Sequence, residues 1–340
     1  MNGYLRLTLL GAVLSIGSLL PSRAADSLSY RPDIHATVRA KYEYQPSTGQ
    51  GRFEVRNARV GIEGKLFPWF GYKAEIDLSD EGKIRMLDAY VRFDPTRRLR
   101  FTVGQMRVPF TIDAHRSPHR QYFANRSFIA KQVGNVRDVG AVASYTFFDR
   151  SPLTLEAGVF NGSGLTDQKD FWTSDYHFAF KAQTMLARRV NLTAGFQRAA
   201  AGDTKVDMYA FGGYYESGRW HAEGEYLRKR YVGGGFPPVD AVDAFVAYRF
   251  PLRGVLSSLS LLGRYDYMSD HSRGGRDEDG SLRVDDPERH RLTGGLTLSF
   301  GTAKLQADIR INYEQYFYRP GATPLRSEQS KAVIEFVCHF

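Results

Sequence analysis

From Ile34 the chain alternates: Ile34, Ala36, Val38, Ala40, Tyr42 and Tyr44 are apolar or aromatic, while His35, Thr37, Arg39, Lys41 and Glu43 are polar. Successive side chains on a strand point to opposite faces, so the segment predicts a strand with one apolar and one charged face. The period recurs. Ala58, Val60, Ile62, Gly64 and Leu66 oppose Asn57, Arg59, Glu63 and Lys65. Phe70, Tyr72, Ala74, Ile76 and Leu78 oppose Lys73, Glu75, Asp77 and Ser79, and Leu87, Ala89, Val91 and Phe93 oppose Asp88, Tyr90, Arg92 and Asp94. Late in the chain Ala303, Leu305, Ala307, Ile309, Ile311 and Tyr313 oppose Lys304, Gln306, Asp308, Arg310, Asn312 and Glu314. The strands of a soluble sandwich alternate too, but they run to about five or six residues. Most of these run to about nine to thirteen, the length a tilted strand needs to cross hydrocarbon. Their long charged side chains also need water beside them, which the lumen of a barrel supplies.

Sixteen such segments are predicted, at 33–44, 54–66, 70–79, 84–94, 97–107, 137–148, 153–161, 174–187, 190–199, 205–216, 218–229, 240–250, 256–268, 288–300, 302–316 and 329–340. Short connections, such as Phe67-Pro68-Trp69, Pro95-Thr96, Arg188-Arg189, Ser217 and Gly301, alternate with longer ones at 108–136, 161–173, 231–239, 269–287 and 317–328. The connections 80–83 and 200–204 are the short members of the second set. Short periplasmic turns alternating with longer outer loops are how an outer-membrane barrel is connected. The expected fold is therefore all-β: a sixteen-stranded antiparallel transmembrane barrel with both termini in the periplasm. The last strand ends on an apolar alternate row, Ala332, Ile334, Phe336, Cys338 and Phe340, which resembles the C-terminal signature of outer-membrane proteins.

Composition agrees. Tyr 20, Phe 23 and Gly 33 form an aromatic-plus-glycine load suited to strands and interfacial girdles. The N-terminus carries Arg6, the uncharged apolar run from Leu7 to Leu20, then Pro21 and Ser22-Arg23-Ala24. That order predicts an export signal at 1–24, with the barrel at 25–340, because the run is too short for a spanning helix. Elsewhere no stretch is long, apolar and uncharged, which excludes a helical membrane protein. The single cysteine, Cys338, rules out an intrachain disulfide framework. A formal charge of +9 mildly favours anionic partners.

Sixteen strands enclose more space than their own side chains fill, so selective passage requires something to narrow the lumen. The longest connection, the third outer loop, is the candidate. Arg107, Arg116, Arg120, Arg126, Lys131 and Arg137 stand in or beside it against one acid, Asp113. Folded inward, that imbalance predicts a positive constriction that concentrates anions and repels cations. The lumen-facing rows carry both signs. Arg39, Lys41, Arg59, Lys73, Arg92, Arg100, Lys181, Arg264 and Arg310 are interspersed with Glu43, Glu75, Asp77, Asp88, Asp266 and Asp308.

Leu87-Asp88-Ala89-Tyr90-Val91, Val103-Gly104-Gln105 with Pro109-Phe110, Phe123-Ala124-Asn125-Arg126-Ser127 and Arg137-Asp138-Val139-Gly140 together resemble the phosphate-selective porin O and P family. Leu66-Phe67-Pro68 and Gly158-Val159-Phe160-Asn161-Gly162 fit the same family, and the resemblance covers roughly Phe53 to Asn161. It implies a homotrimer of sixteen-stranded barrels in the outer membrane of a Gram-negative bacterium. It also implies an inward-folded third loop, with arginines and lysines guiding phosphate-like anions. Arg126 and Arg137 match arginines of the family's motifs, whereas Asn125 stands where the family has glutamate. The expected partners are small anions such as phosphate, outer-membrane lipid and further copies of the chain, with no cofactor, metal or nucleic acid.

Residue type leaves other roles open. Arg126 and Arg137 suit bracing the loop against Asp113 or Asp138 as well as lining a pore, since a guanidinium fork fits oxyanions and carboxylates alike. Asp88 reads as a partner for a lysine or arginine. His115 and His119 have metal-pair spacing but lie on a proline-containing loop. A general diffusion porin without phosphate preference fits the pattern too. An enzyme would need a nucleophile, base and orienting group, and neither Gly-x-Ser-x-Gly nor His-Glu-x-x-His occurs. Val232-Gly233-Gly234-Gly235 lacks the Lys-Ser/Thr of a phosphate loop and reads as an outer loop.

Overall fold

The computed structural model describes residues 31–340 apart from 81, 134–136, 166–167, 202–203 and 303–304. The expected export signal at 1–24 lies outside these residues. Sixteen strands follow in order: β1 (Asp33–Gln45), β2 (Gln50–Phe67), β3 (Phe70–Asp80), β4 (Lys83–Phe93), β5 (Leu99–Arg107), β6 (Arg137–Phe147), β7 (Leu153–Phe160) and β8 (His177–Leu186). The second half comprises β9 (Val190–Ala201), β10 (Thr204–Ser217), β11 (Trp220–Tyr231), β12 (Val239–Pro251), β13 (Leu256–Met268), β14 (Arg289–Gly301), β15 (Gln306–Tyr318) and β16 (Lys331–His339). Every strand pairs antiparallel with its sequence neighbour, and β1 pairs with β16 to close the barrel. The closing seam runs from Thr37 opposite His339 to Tyr44 opposite Ala332.

Two faces follow from the alternation. Ile34, Val38, Phe53, Val60, Leu192, Phe211, Ile311 and Phe336 stand exposed on the outer wall, where lipid covers them. Their neighbours Arg39, Lys41, Glu43, Asp77, Arg264, Arg310 and Glu335 are buried inside. At the short-turn end aromatic rings form an interfacial belt. Phe67 stacks on Trp69 at 5.1 Å between centroids, Phe93 meets Trp69 edge-on at 5.6 Å, and Trp220 meets Tyr248 at 4.6 Å.

Two bulges explain where the expected boundaries slip. Opposite Arg39 stands Asn57, and opposite Ala40 stands Val55, so Arg56 is an extra residue. It shifts the alternation, which hides Gln50 to Val55 from a strict period-two reading, and β2 begins at Gln50 rather than 54. Tyr42 and Phe53 pack across that hairpin at 4.8 Å. Likewise Asp88 faces Glu75 and Met86 faces Ile76, leaving Leu87 extra and buried. The amide of Gln105 donates to the carbonyls of Met86 and Leu87 at 2.6 and 2.8 Å, serving groups the bulge removes from the ladder. The fifteenth strand begins at Gln306 rather than 302 and extends to Tyr318.

Candidate functional site: the third loop and the passage beside it

The third loop folds into the barrel and lies along β10 to β16 and β1. Its path is irregular, with single turns at Asp113–His115, Pro118–Arg120 and Ile129–Val133, so many of its backbone groups need partners from the wall. The wall supplies them. Arg39 donates to Gln121 Oε1 at 2.7 Å and to the Ala124 carbonyl at 2.8 Å, while Asn312 Oδ1 accepts from the Ala124 N–H at 2.8 Å. Arg264 donates to the Asn125 carbonyl at 3.0 Å, Arg291 to that of Arg126 at 2.8 Å, and Arg310 to that of His119 at 2.9 Å. Glu225 accepts from the Ile112 and Asp113 N–H groups. Guanidinium groups also cover the rings of the loop: Arg264 lies 4.3 Å from the Phe123 centroid, and Arg289 and Arg291 each lie 4.5 Å from that of Phe128.

Within the loop Asp113 is the hub. Its carboxylate accepts from the N–H and hydroxyl of Ser127 at 3.1 and 3.0 Å and pairs with Arg116 at 3.0 Å. Burial pushes this carboxyl up, but the charges of Arg126, Arg116 and Arg264 and the Ser127 N–H outweigh it, holding it at about 2.

With the loop on one wall, open space remains on the other. A cavity of about 340 Å³ lies between the loop's Pro109, His115 and Pro118 and the inner faces of β2 to β7. Its cations are Arg59, Lys73, Arg92, Arg100 and Arg107, and its acids are Glu75, Asp88 and Glu156.

The residues singled out from the sequence divide accordingly. Arg107 lines the passage, donates to the Ala114 carbonyl and has no carboxylate within 4.0 Å among the described residues. Arg120, on the Pro118–Arg120 turn, is exposed and also has none there. Arg116 is held by Asp113 and by Glu223 at 2.5 Å. Arg126 donates to the carbonyls of Asp113 and Arg116 and stands 4.0 Å from the Asp113 carboxylate. Burial lowers Arg126 to about 10 against the pull of Asp113, with Arg59, Arg116 and Arg56 adding like charge. Lys131 pairs with Glu328. Arg137 pairs not with Asp138 but with Asp88, at 2.9 Å, because Asp138 turns to the N–H groups of Val139, Gly162 and Gly164. Arg39 is buried against Glu335 at 2.6 Å and serves the loop, whereas Arg59, Lys73 and Arg92 reach Asp77 at 2.9 Å, Glu75 and Asp88 at 3.3 Å each, and Asp94 at 3.4 Å. The two loop histidines face different partners: His115 Nε2 meets the Val108 carbonyl at 2.7 Å, and His119 stacks on His339 at 3.6 Å.

Sequence reasoning passed over the anchors on the far wall: Glu223, Glu225, Arg289, Arg291, Glu314, Glu328 and Glu335. The signal was present, since Arg289 and Arg291 alternate with His290 and Leu292 at the head of β14.

Among solved structures, the anion-selective porin from Comamonas acidovorans is 11% identical, with a TM-score of 0.62, covering 91% of this chain and 98% of that one. The in-vitro folded outer membrane protein OmpT of Vibrio cholerae, in its trimer form, is 11% identical with a TM-score of 0.59 over 91% and 98%. The outer membrane channel DcaP of Acinetobacter baumannii is 12% identical with a TM-score of 0.59 over 91% and 96%. At these identities the likeness is one of fold. No curated protein matches the sequence. The family described as phosphate-selective porin O and P matches residues 30–210, more than half of the chain. A closed sixteen-stranded barrel with a lumen narrowed by its third loop is an outer-membrane porin channel of a Gram-negative bacterium. The chain belongs to the phosphate-selective porin O and P family.

Proposed function

We propose that the channel prefers anions and serves the passive diffusion of phosphate or similar small oxyanions. The observation that carries this reading is the lining of the passage: five cationic side chains, Arg59, Lys73, Arg92, Arg100 and Arg107, against Glu75, Asp88 and Glu156. In a narrow, low-dielectric passage that excess draws anions in, and guanidinium forks match the oxygens of a tetrahedral oxyanion. Arg107 contributes most, since no carboxylate neutralises it among the described residues, and Arg120, exposed on the loop and likewise without a carboxylate there, adds to the positive field. Arg116, Arg126 and Lys131 act mainly by holding the loop, and through it the width of the passage, while Arg137 ties β6 to Asp88 on β4.

The acids in the same lining favour a second reading, a general diffusion porin that prefers anions without selecting phosphate. Reversal potentials in a planar bilayer under a potassium chloride gradient test the first claim: cation preference or absence of conductance overturns it. Added phosphate should then reduce chloride current at sub-saturating concentration; no competition leaves the general porin. The functional unit is a homotrimer, as in the trimer form solved for OmpT, and residues 1–24 are removed on export.

A further inference from the structure

On most strands the lipid-facing row stays uncharged up to the outer end of the barrel, as with Tyr44 on β1, Phe53 on β2, Tyr265 on β13, and Tyr313 and Phe317 on β15. The sector β9 to β11 differs. There the same outward row turns cationic in its last two rungs, with Arg198 on β9, Lys205 on β10, and Arg228 and Arg230 on β11. The register gathers them: Asp207 stands opposite both Arg198 and Arg230, and Tyr209 opposite Arg228. Arg198 pairs with Asp207 at 2.6 Å, Lys205 with Asp175 at 2.7 Å and Arg228 with Asp240 at 3.6 Å. Each of these three cations stays about half exposed, and Arg230 has no carboxylate within 4.0 Å among the described residues.

Beside and below this patch the wall is hollow across β5 to β10. A cavity of about 600 Å³ opens on the lipid side, floored by Ala157, Ala182 and Ala194 and edged by Phe196, Tyr209 and Phe211. Phe196 is two residues below Arg198 on β9, a rise of about 7 Å. A cationic rim one rung above an apolar hollow has the shape and polarity of an acylated phosphate. The rim lies where the long loops leave the barrel, so the leaflet that meets it is the outer one.

We propose that the β7 to β11 sector binds a phosphorylated, multiply acylated glycolipid of the outer leaflet. Its phosphate lies against Arg198, Arg228 and Arg230, and one acyl chain lies in the hollow beside Ala157 and Ala194. Three carboxylates leave the patch only modestly positive on its own, and a phosphate carrying up to two negative charges completes it. The site faces away from the lumen and is independent of ion selectivity.

The test is native mass spectrometry of the detergent-solubilised protein with a defined probe, a bisphosphorylated hexa-acyl glucosamine disaccharide. The wild type should retain it, while the dephosphorylated form of the same lipid should not be retained. The double variant R228A/R230A should weaken retention roughly fivefold per arginine. The variant A157F, which fills the hollow and leaves every charge in place, should also lower retention. Millimolar inorganic phosphate should not displace the lipid, and the bilayer selectivity of all three proteins should be the same. Equal retention of the dephosphorylated lipid, unchanged retention by R228A/R230A and A157F, or full displacement by inorganic phosphate would each overturn the proposal. Heat-modifiable migration in gels verifies that each variant is folded.

Discussion

Arg137 at the head of β6 reaches across to β4 and binds the Asp88 carboxylate at 2.9 Å, and Lys73 reaches the same carboxylate at 3.3 Å. One acid thus offsets two cations at the wall of the passage. Replacing Asp88 with asparagine keeps the shape and removes the charge, leaving Lys73 and Arg137 to act on passing ions. Anion preference should rise about threefold, since one unit charge beside a water-filled path changes an ion's energy there by about 0.65 kcal/mol. Reversal potentials of D88N in a salt gradient check this, and a shift toward cations would show that the carboxylate does not act on the ion path.

Arg107 and Lys131 sit at opposite ends of the loop and should behave differently. Arg107 borders the passage with the Ala114 carbonyl as its hydrogen-bond partner among the described residues, whereas Lys131 is tied to Glu328. Arg107→Gln should lower anion preference by roughly threefold. Lys131→Ala should leave selectivity nearly unchanged and act on the loop's anchoring instead. Equal losses of selectivity in the two variants would contradict the division of the loop's cations into lining and bracing groups.

The barrel was legible because a membrane strand must obey one rule along its whole length, and side chains of Ile34 to Tyr44 or of Ile309 to Tyr313 obey it without exception. Bulges broke the reading locally: the extra residues Arg56 and Leu87 reverse the phase, so an apolar residue beyond the bulge falls on the position expected to be polar. The third loop was legible as a basic insertion but not as a braced one. Whether Arg116 lines the pore or binds Glu223 depends on the path of the loop, and that path is set by β11 to β16, more than a hundred residues away in sequence. Arg137 shows the same limit, since Asp138 beside it in the chain is occupied by the backbone of the next loop.

Arg291 clamps the loop by both a hydrogen bond and a ring contact. Fully buried, it donates to Asp266 at 3.0 Å, to the Tyr316 hydroxyl at 3.1 Å and to the Arg126 carbonyl at 2.8 Å, and it covers the Phe128 ring. Arg291→Ala leaves the Asp266 carboxylate with Arg264 and the Phe128 N–H and frees the Arg126 carbonyl. A buried pair broken on one side costs about 3 kcal/mol. The folded barrel should persist on its strand ladder, while single-channel current becomes noisier and average conductance changes. A silent variant, with quiet wild-type traces, would place the clamp elsewhere.

The stack of His119 on His339 makes the position of the loop sensitive to acid. The rings lie 3.6 Å apart and nearly parallel, and His339 Nδ1 is 3.0 Å from both the Thr37 hydroxyl and the Ala36 carbonyl. Burial, then His339, Arg120, Arg310 and His35, lower His119 to about 3. The nearby carboxylates are engaged by other groups: Glu75 lies 3.5 Å from His35, and Asp308 lies 3.6 Å from the Arg310 guanidinium that binds the His119 carbonyl. A histidine freed from the wall returns to about 6.5. The docked loop therefore binds fewer protons than the released one: its full stability is present above about pH 6.5 and is lost progressively as the pH falls toward 3. The ring is only partly buried, so solvent screening reduces the effect to about 1 kcal/mol at pH 4.5. Closures of the wild-type channel should become several-fold more frequent between pH 7 and pH 4.5. His119→Phe keeps an aromatic ring on His339 but cannot take a proton at that position, so it should flatten the profile. A wild-type trace that is equally quiet at both pH values, or a phenylalanine variant that closes as often, would remove the stack as the acid-sensitive contact.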